Sequence, residues 1–168
     1  MTSWLFLDID GVLNAHSALI TGSTAWPDYQ LVDGKRKWAA VYSPEMVSHI
    51  NALIGAHDVT VIWATSWEDR APLFGHSIGL RGAIDWPWLD TTDRDGNWGK
   101  HESLMRYIRL CSRPGDRIAW IDDDLTHEHE AALWAADNDV LTIAPSSDHG
   151  ITPAHLAQLR RHYGKKTQ

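Results

Sequence analysis

The chain has 168 residues, of which 43% are hydrophobic and 22% are charged. This length and composition predict one globular domain, and no apolar run approaches the roughly 18 residues that a membrane-spanning helix needs. The formal net charge of −7 argues against binding to nucleic acid or to an anionic membrane through the surface as a whole, although it allows a local basic patch.

Strands and helices are predicted to alternate along the chain. Continuous apolar runs predict buried strands at 4–8, 59–65, 117–123 and 139–144. Apolar residues at helical spacing predict helices at 43–57, 100–111, 126–138 and 152–163. Apolar strands that alternate with helices form a mostly parallel sheet that is covered on both faces. The expected fold class is therefore α/β, with a doubly wound, mostly parallel sheet.

Two segments fit neither pattern. Residues 15–42 are predicted to form a hairpin-like insert, and residues 164–168 a mobile tail, within a single domain that spans residues 1–168. The one cysteine, Cys111, lies on the apolar face of its predicted helix and is expected to be a core residue. A lone cysteine, and an N-terminus without a basic region before its apolar residues, predict a cytoplasmic protein.

Polar residues lie at the carboxyl ends of three of the predicted strands. They are Asp8 and Asp10 at the end of the first strand, Thr65 and Ser66 at the end of the second, and Asp122, Asp123 and Asp124 at the end of the third. In open α/β sheets, ligands bind beyond the carboxyl ends of the strands. Carboxylates gathered at one edge repel one another unless a cation compensates them, and their oxygens suit Mg²⁺. We therefore predict a Mg²⁺ site; the alternative is that each acid caps a neighbouring helix.

Lys100 opens a predicted helix, where the helix dipole slightly disfavours a cation. A bound anion would reverse this effect. Together with the hydroxyl of Thr65, the ammonium of Lys100 would stabilise the charge on a transferring phosphoryl group. The alternative is a solvated lysine that belongs to no site.

These residues resemble the four motifs of the haloacid dehalogenase (HAD) superfamily phosphatases. The segment "DIDGVLN", a strand that ends in Thr65, Lys100 at a helix start and "WIDDD" after a strand stand in the same order as those motifs, over nearly the whole chain. The segments "WATSWEDRA" and "HGITPAHLAQLR" are similar, more narrowly, to small HAD domains associated with RNA-repair proteins. Val12 departs from the pattern, since many members have threonine there, and this puts a minor phosphate contact in doubt. The resemblance implies a Rossmann-like HAD fold.

The resemblance also implies roles for the motif residues. Asp8 would be the nucleophile that forms an aspartyl-phosphate, and Asp10 would protonate the leaving oxygen and then activate water. Mg²⁺ would be held by Asp8, by the backbone carbonyl of Asp10, and by Asp122 with Asp123 close behind. Thr65 and Lys100 would act on the phosphoryl group. Gly11 would let the backbone amides face the phosphate, with Ser66 beside the same substrate position.

Three functions are compatible with this pattern. The first is a Mg²⁺-dependent phosphomonoester hydrolase. The second is a receiver-like phosphoacceptor signalling module, but in receivers no general acid lies two residues beyond the phosphorylated aspartate, where this chain has Asp10. The third is a metal-dependent nuclease, which would need neither Lys100 nor a nucleophilic Asp8.

The insert bears on the substrate. It is too short for a large cap domain, and the resemblance implies a flap or minimal cap over an open site that suits large substrates. The insert contains the basic triplet Lys35, Arg36 and Lys37, which would attract a polyanion. The predicted substrate is a phosphorylated small molecule, with a nucleotide or a nucleic-acid end favoured; the alternative is that the triplet is a solvated hairpin tip. We predict no membrane partner and no obligate protein partner.

Overall fold

The structure is a computed structural model that describes residues 1–32, 39–93 and 98–164. The described residues form six strands and six α-helices. In chain order these are β1 (Ser3–Leu7), α1 (Ala18–Thr21), β2 (Gln30–Leu31), β3 (Val41–Tyr42), α2 (Pro44–His57), β4 (Val59–Trp63), α3 (Ala71–Ser77), α4 (Gly99–Cys111), β5 (Arg117–Ile121), α5 (His129–Asp137), β6 (Val140–Ile143) and α6 (Pro153–Gly164). The basic triplet Lys35, Arg36 and Lys37 lies outside the described residues, as does 165–168 of the predicted tail.

The central sheet has four parallel strands in the order β4-β1-β5-β6. The register places Leu7, the last residue of β1, between Trp63 of β4 and Ile121 of β5. The carboxyl ends of these three strands therefore lie level with one another, and the residues that follow them leave the sheet at one edge. The predicted α/β class with a mostly parallel sheet is confirmed.

Each face of the sheet has its own hydrophobic core. Leu5 and Leu7 of β1 pack with buried residues of α2 and α6, whereas Phe6, between them in sequence, packs on the opposite side with buried residues of α4 and α5. This alternation follows from the two-residue period of a strand. Because both faces are covered, β1 is one continuous apolar run in the sequence. Polar side chains that could take part in chemistry therefore lie at the edge of the sheet.

The predicted strands are all present, but each ends one or two residues earlier than the sequence predicts. After β5, the Asp122 side chain accepts a hydrogen bond from the Asp124 N–H at 3.1 Å, which begins a 3₁₀ turn at Asp123–Thr126. Because of that turn, α5 begins at His129 and not at residue 126, where the sequence predicts a helix start. The polar residues at the strand ends therefore belong to turns, where their side chains are free to converge.

The insert contains the antiparallel pair β2 and β3, as a hairpin would. Its side chains bind the loop between β6 and α6: the Trp26 indole N–H donates to the Ile151 carbonyl at 2.6 Å, and the Tyr29 hydroxyl donates to the His149 carbonyl at 2.5 Å. These bonds attach the insert to the carboxyl edge of the sheet. The boundaries proposed for the insert, 15–42, stay a prediction.

The prediction for Cys111 is wrong, because this cysteine is exposed. The buried residues of α4 are Gly99, Lys100 and Leu104, all in the first half of the helix. Tyr107 and Ile108 in the second half are partly buried against the core, but Cys111, in the last turn, lies beyond these contacts. Among the described residues, no helix is both long enough and apolar enough to cross a membrane.

Candidate active site

Three carboxylates meet at the carboxyl edge of the sheet. Asp8 follows β1 and Asp122 follows the adjacent β5, and their N–H groups still bond to neighbouring strands, at Ile121 and Ile143. Both aspartates are buried, whereas Asp123 is half-buried. One oxygen each of Asp8, Asp122 and Asp123 lies within 4.8 Å of the other two. The parallel register therefore brings together residues that are more than one hundred positions apart in the sequence.

Lys100 binds two of these carboxylates and lies near the carboxylate of Asp124. Its Nζ lies 2.8 Å from Asp8 Oδ2, 2.9 Å from Asp122 Oδ2 and 3.7 Å from Asp124 Oδ2. It reaches them from the first turn of α4, whose start lies close against a loop: a Cβ on Gly99 would approach the Thr91 and Thr92 carbonyl oxygens to 2.4 and 2.3 Å. Only glycine fits there, and this close approach places Lys100 over the carboxylates.

The electrostatics of this group are unbalanced. Burial raises the pKa of Asp8, and the Lys100 charge together with hydrogen bonds from Thr65 and the Ile9 N–H only partly opposes it. Burial and the charge of Asp8 raise the pKa of Asp122 to about 8. Burial favours the neutral form of Lys100, but the charges of Asp8 and Asp122 outweigh it and raise the pKa of this ammonium. One cation facing several carboxylates leaves negative charge that a second cation would compensate.

Gly11 determines how close Asp123 can come. Its φ is +67°, a conformation that favours glycine, and a Cβ there would lie 2.1 Å from Asp123 Oδ2. The turn after Asp10 therefore passes directly over the Asp123 carboxylate. The prediction assigned Gly11 to backbone contacts with phosphate; the structure adds that any side chain at this position would collide with a candidate metal ligand.

The side chain of Asp10 is directed away from the other acids. Its Oδ1 accepts a hydrogen bond from Asn14 Nδ2 at 2.7 Å, and its Oδ2 accepts one from Trp67 Nε1 at 2.7 Å. Asp10 is also absent from the carboxylate group that could hold a metal. The implied separation of roles, in which Asp10 reaches a metal through its backbone carbonyl and uses its side chain for protons, is compatible with this arrangement.

Thr65 and Ser66 follow β4 beside this group. Thr65 is buried and hydrogen-bonds to Asp8, whereas Ser66 is exposed in the turn that follows. Next to the acids, a pocket of about 330 Å³ is lined by Asp123, Thr126, His127, Ala144, Pro145, Ser146 and Ser147. A cavity therefore lies beside Asp123 at the carboxyl edge of the sheet.

Two residues at the site were missed by the sequence analysis, Asn14 and Trp67. A signal for each was present: Asn14 closes the segment "DIDGVLN", four residues after Asp10, and Trp67 directly follows Thr65 and Ser66. Trp67 makes two kinds of contact here. Its indole contacts Phe74, with ring centroids 5.0 Å apart, and its N–H also reaches Asp10.

A Rossmann-like parallel sheet with acids after β1 and β5 and a lysine at the start of a helix defines an HAD superfamily domain. A family model described as "HAD domain in Swiss Army Knife RNA repair proteins" matches residues 4–156. The chain therefore belongs to this family, and both resemblances noted in the sequence are confirmed. No match was found among curated proteins or among solved structures. Membership indicates a phosphatase-type hydrolase, and HAD domains typically use a metal, for which an acidic cluster is present here.

Proposed function

We propose that this protein is a Mg²⁺-dependent phosphomonoester hydrolase that acts through an aspartyl-phosphate on Asp8. The observation that carries the proposal is the buried Asp8 carboxylate, which Lys100 binds at 2.8 Å while Asp122 and Asp123 lie beside it. Burying several acids around a single cation is unfavourable for stability, and such arrangements are common where residues are selected for chemistry.

The first chemical step uses three of these side chains. Asp8 attacks phosphorus, so that an Asp8 O–P bond forms while the bond from phosphorus to the leaving oxygen breaks. Asp10 gives its proton to that oxygen. The charge of Lys100 opposes the effect of burial on the pKa of Asp8 before the attack, and it stabilises negative charge on the phosphoryl oxygens during the attack.

The second step returns the enzyme to its starting state. Asp10, now a carboxylate, removes a proton from a water molecule that attacks the phosphorus of the aspartyl-phosphate. The Asp8 O–P bond breaks, inorganic phosphate leaves and the Asp8 carboxylate is restored. Asp10 regains the proton that it gave to the leaving oxygen in the first step.

Asp8, Asp122 and Asp123 would hold the metal. The structure fits a divalent cation of this type, because the three residues offer carboxylate oxygens within 4.8 Å of one another and Lys100 alone leaves negative charge uncompensated. When bound, the ion supplies positive charge that neutralises the phosphoryl oxygens and keeps Asp8 ionised.

Replacement of Asp122 by alanine is expected to raise the Mg²⁺ concentration required for activity, or to eliminate activity, because it removes a buried ligand. Phosphate release measured across a Mg²⁺ titration tests this. EDTA should abolish wild-type activity, and Ca²⁺ should inhibit because its looser coordination disturbs the in-line geometry. Asp137→Ala, which removes an exposed acid at the end of α5, is the control and should leave the titration unchanged. Full activity in EDTA would contradict the metal assignment.

For the substrate, we propose a nucleotide or a phosphorylated nucleic-acid end. Two observations support this choice: the family is described by its occurrence in RNA-repair proteins, and the insert contains the only run of three consecutive lysine or arginine residues in the sequence, Lys35, Arg36 and Lys37. A cytoplasmic location and the absence of an obligate protein partner belong to the same proposal, and a lone cysteine supports the location.

Neutralising Lys35, Arg36 and Lys37 together to glutamine is expected to raise KM for oligonucleotide phosphates and to flatten its salt dependence, because counterion release contributes less to binding. The kcat on a small aryl phosphate should change little. The control replaces three basic residues near the end of α4, Arg106, Arg109 and Arg113, which lie far from the carboxyl edge. Equal KM values for the triplet variant and the wild type on every polyanionic substrate would assign the triplet to a solubilising loop.

A further inference from the structure

The side chain of Asp10 is held by two hydrogen bonds although the residue is exposed. The donors are the Asn14 amide and the Trp67 indole, each at 2.7 Å from one carboxylate oxygen. An exposed aspartate in water samples several rotamers, and holding it in one orientation costs side-chain entropy. These two bonds offset that cost and select one orientation.

Both groups that face Asp10 are donors. The indole N–H of Trp67 can only donate. The amide of Asn14 could in principle face either way, but its Oδ1 accepts the backbone N–H of Val41 in β3 at 2.9 Å. That N–H has to donate, so Nδ2 of Asn14 is the group directed at Asp10. Asp10 is therefore positioned between two donors whose roles are fixed.

The turn that presents Trp67 is itself fixed. Glu68, the next residue, has φ of +46°, a left-handed conformation that is unfavourable for glutamate. Its carboxylate Oε1 compensates by accepting the N–H of Thr91 at 3.0 Å and the hydroxyl of Thr91 at 3.2 Å. Phe74 supports one side of the Trp67 ring. The indole N–H is thus held in place by contacts independent of Asp10.

We propose that Trp67 is a positioning residue for the proton transfers of Asp10, with Asn14 as the second donor. This inference rests on the proposed phosphatase function. As Asp10 gives its proton to the leaving oxygen, negative charge develops on its carboxylate, and a hydrogen bond from an N–H to a charged oxygen is stronger than one to a neutral oxygen. The Trp67 N–H therefore stabilises Asp10 more in the transition state than before it.

The test compares substrates with different leaving groups. A poor leaving group such as an alkyl alcohol needs the proton from Asp10, whereas 4-nitrophenolate leaves largely without it. Trp67→Phe keeps an aromatic ring against Phe74 and removes the N–H. Its kcat/KM is expected to fall about 10-fold or more on an alkyl phosphate, within the range for loss of a hydrogen bond to a charged group. On 4-nitrophenyl phosphate it should fall less than about 3-fold.

Two further experiments, a rescue variant and a double variant, distinguish the positioning role of Trp67 from a purely structural role. Trp67→His keeps a ring N–H at the equivalent position and loses the rest of the indole, so it should restore most of the activity on the alkyl phosphate. In an Asp10→Asn background, Trp67→Phe should have no further effect that depends on the leaving group, because the group that it positions is absent.

Trp4→Phe is the matched control. The Trp4 indole N–H also donates to an aspartate, Asp116 Oδ2 at 3.0 Å, but at the opposite end of β1. This variant should leave the leaving-group dependence unchanged. Thermal unfolding checks that each variant is folded, and Trp67→Met replaces Trp67→Phe in every comparison if the latter does not fold.

An equal fall in kcat/KM for both substrates, or the same leaving-group effect in the Asp10→Asn background, would overturn the inference while leaving the phosphatase function intact. A wild-type protein that hydrolyses no phosphomonoester would instead overturn the proposed function, and this inference with it. The two failures are therefore distinguishable.

Discussion

Asp8→Asn is expected to reduce hydrolysis of every phosphomonoester to background while the fold stays intact. The amide has nearly the shape of the carboxylate, and its oxygen can still accept the Ile9 N–H, which Asp8 Oδ1 accepts at 2.7 Å in the wild type. However, a neutral amide is not a nucleophile toward phosphorus, so the aspartyl-phosphate cannot form. Lys100 keeps Asp122 as a partner at 2.9 Å, so the buried ammonium stays paired.

The measurement is phosphate release together with acid-quench trapping of labelled phosphate on the protein. Wild type should trap label and turn over, and Asp8→Asn should do neither. The comparison variant is Asp10→Asn, which should lose most activity but retain a residual rate that rises steeply with the quality of the leaving group. Near wild-type activity in Asp8→Asn would show that the aspartyl-phosphate mechanism is wrong. Stable labelling of wild type without turnover would favour the receiver-like alternative.

Lys100→Met is expected to lower kcat by about 10² or more and also to destabilise the protein. The rate falls because the variant lacks the charge that stabilises the phosphoryl oxygens in the transition state. The fold is weakened because Asp8 and Asp122 are buried against Lys100 and would lose their counterion. Breaking a buried ion pair by removing one partner typically costs about 3–5 kcal/mol of the free energy of unfolding.

Kinetics at saturating Mg²⁺ and thermal unfolding with and without Mg²⁺ separate these two effects. Mg²⁺ should restore part of the stability of Lys100→Met, since a second cation compensates the same carboxylates, but it should not restore kcat. Arg106→Met, which removes an exposed cation from the same helix, is the control and should change neither quantity. Full activity of Lys100→Met on nucleic acid would favour the metal-dependent nuclease, which needs no lysine at this position.

The sequence predicted the sheet because the information is local. A strand that is covered on both faces, such as β1 or β5, is a continuous apolar run, and a helix that covers it shows apolar residues at helical spacing. Parallel strands also place their carboxyl ends at one edge, so the order of the strands was not needed to expect that Asp8 and Asp122 approach each other. The expectation that Lys100 and Thr65 join this site rested on their positions, at the start of a predicted helix and at the end of a predicted strand.

The orientation of individual side chains could not be predicted from the local sequence. Cys111 has the spacing of a core residue, yet it is exposed because α4 extends beyond its contacts with the sheet. The apolar pattern of a helix states which residues share a face, but it does not state how far along the helix that face is covered. Only packing decided this.

The environment of Asp10 shows most clearly which features the sequence determined and which ones only the tertiary structure decided. The sequence by itself determined that Asp8 and Asp10 leave the sheet together, since they are two residues apart at the end of one strand. The resemblance implied that Asp10 directs its side chain away from the metal, but only the tertiary structure decided which groups bind the two carboxylates, Lys100 for Asp8 and Trp67 for Asp10. Trp67 comes from the turn after β4, 57 residues further along the chain. A contact of this kind depends on strand order and turn geometry, because no periodic pattern in the sequence encodes which donor meets an exposed carboxylate.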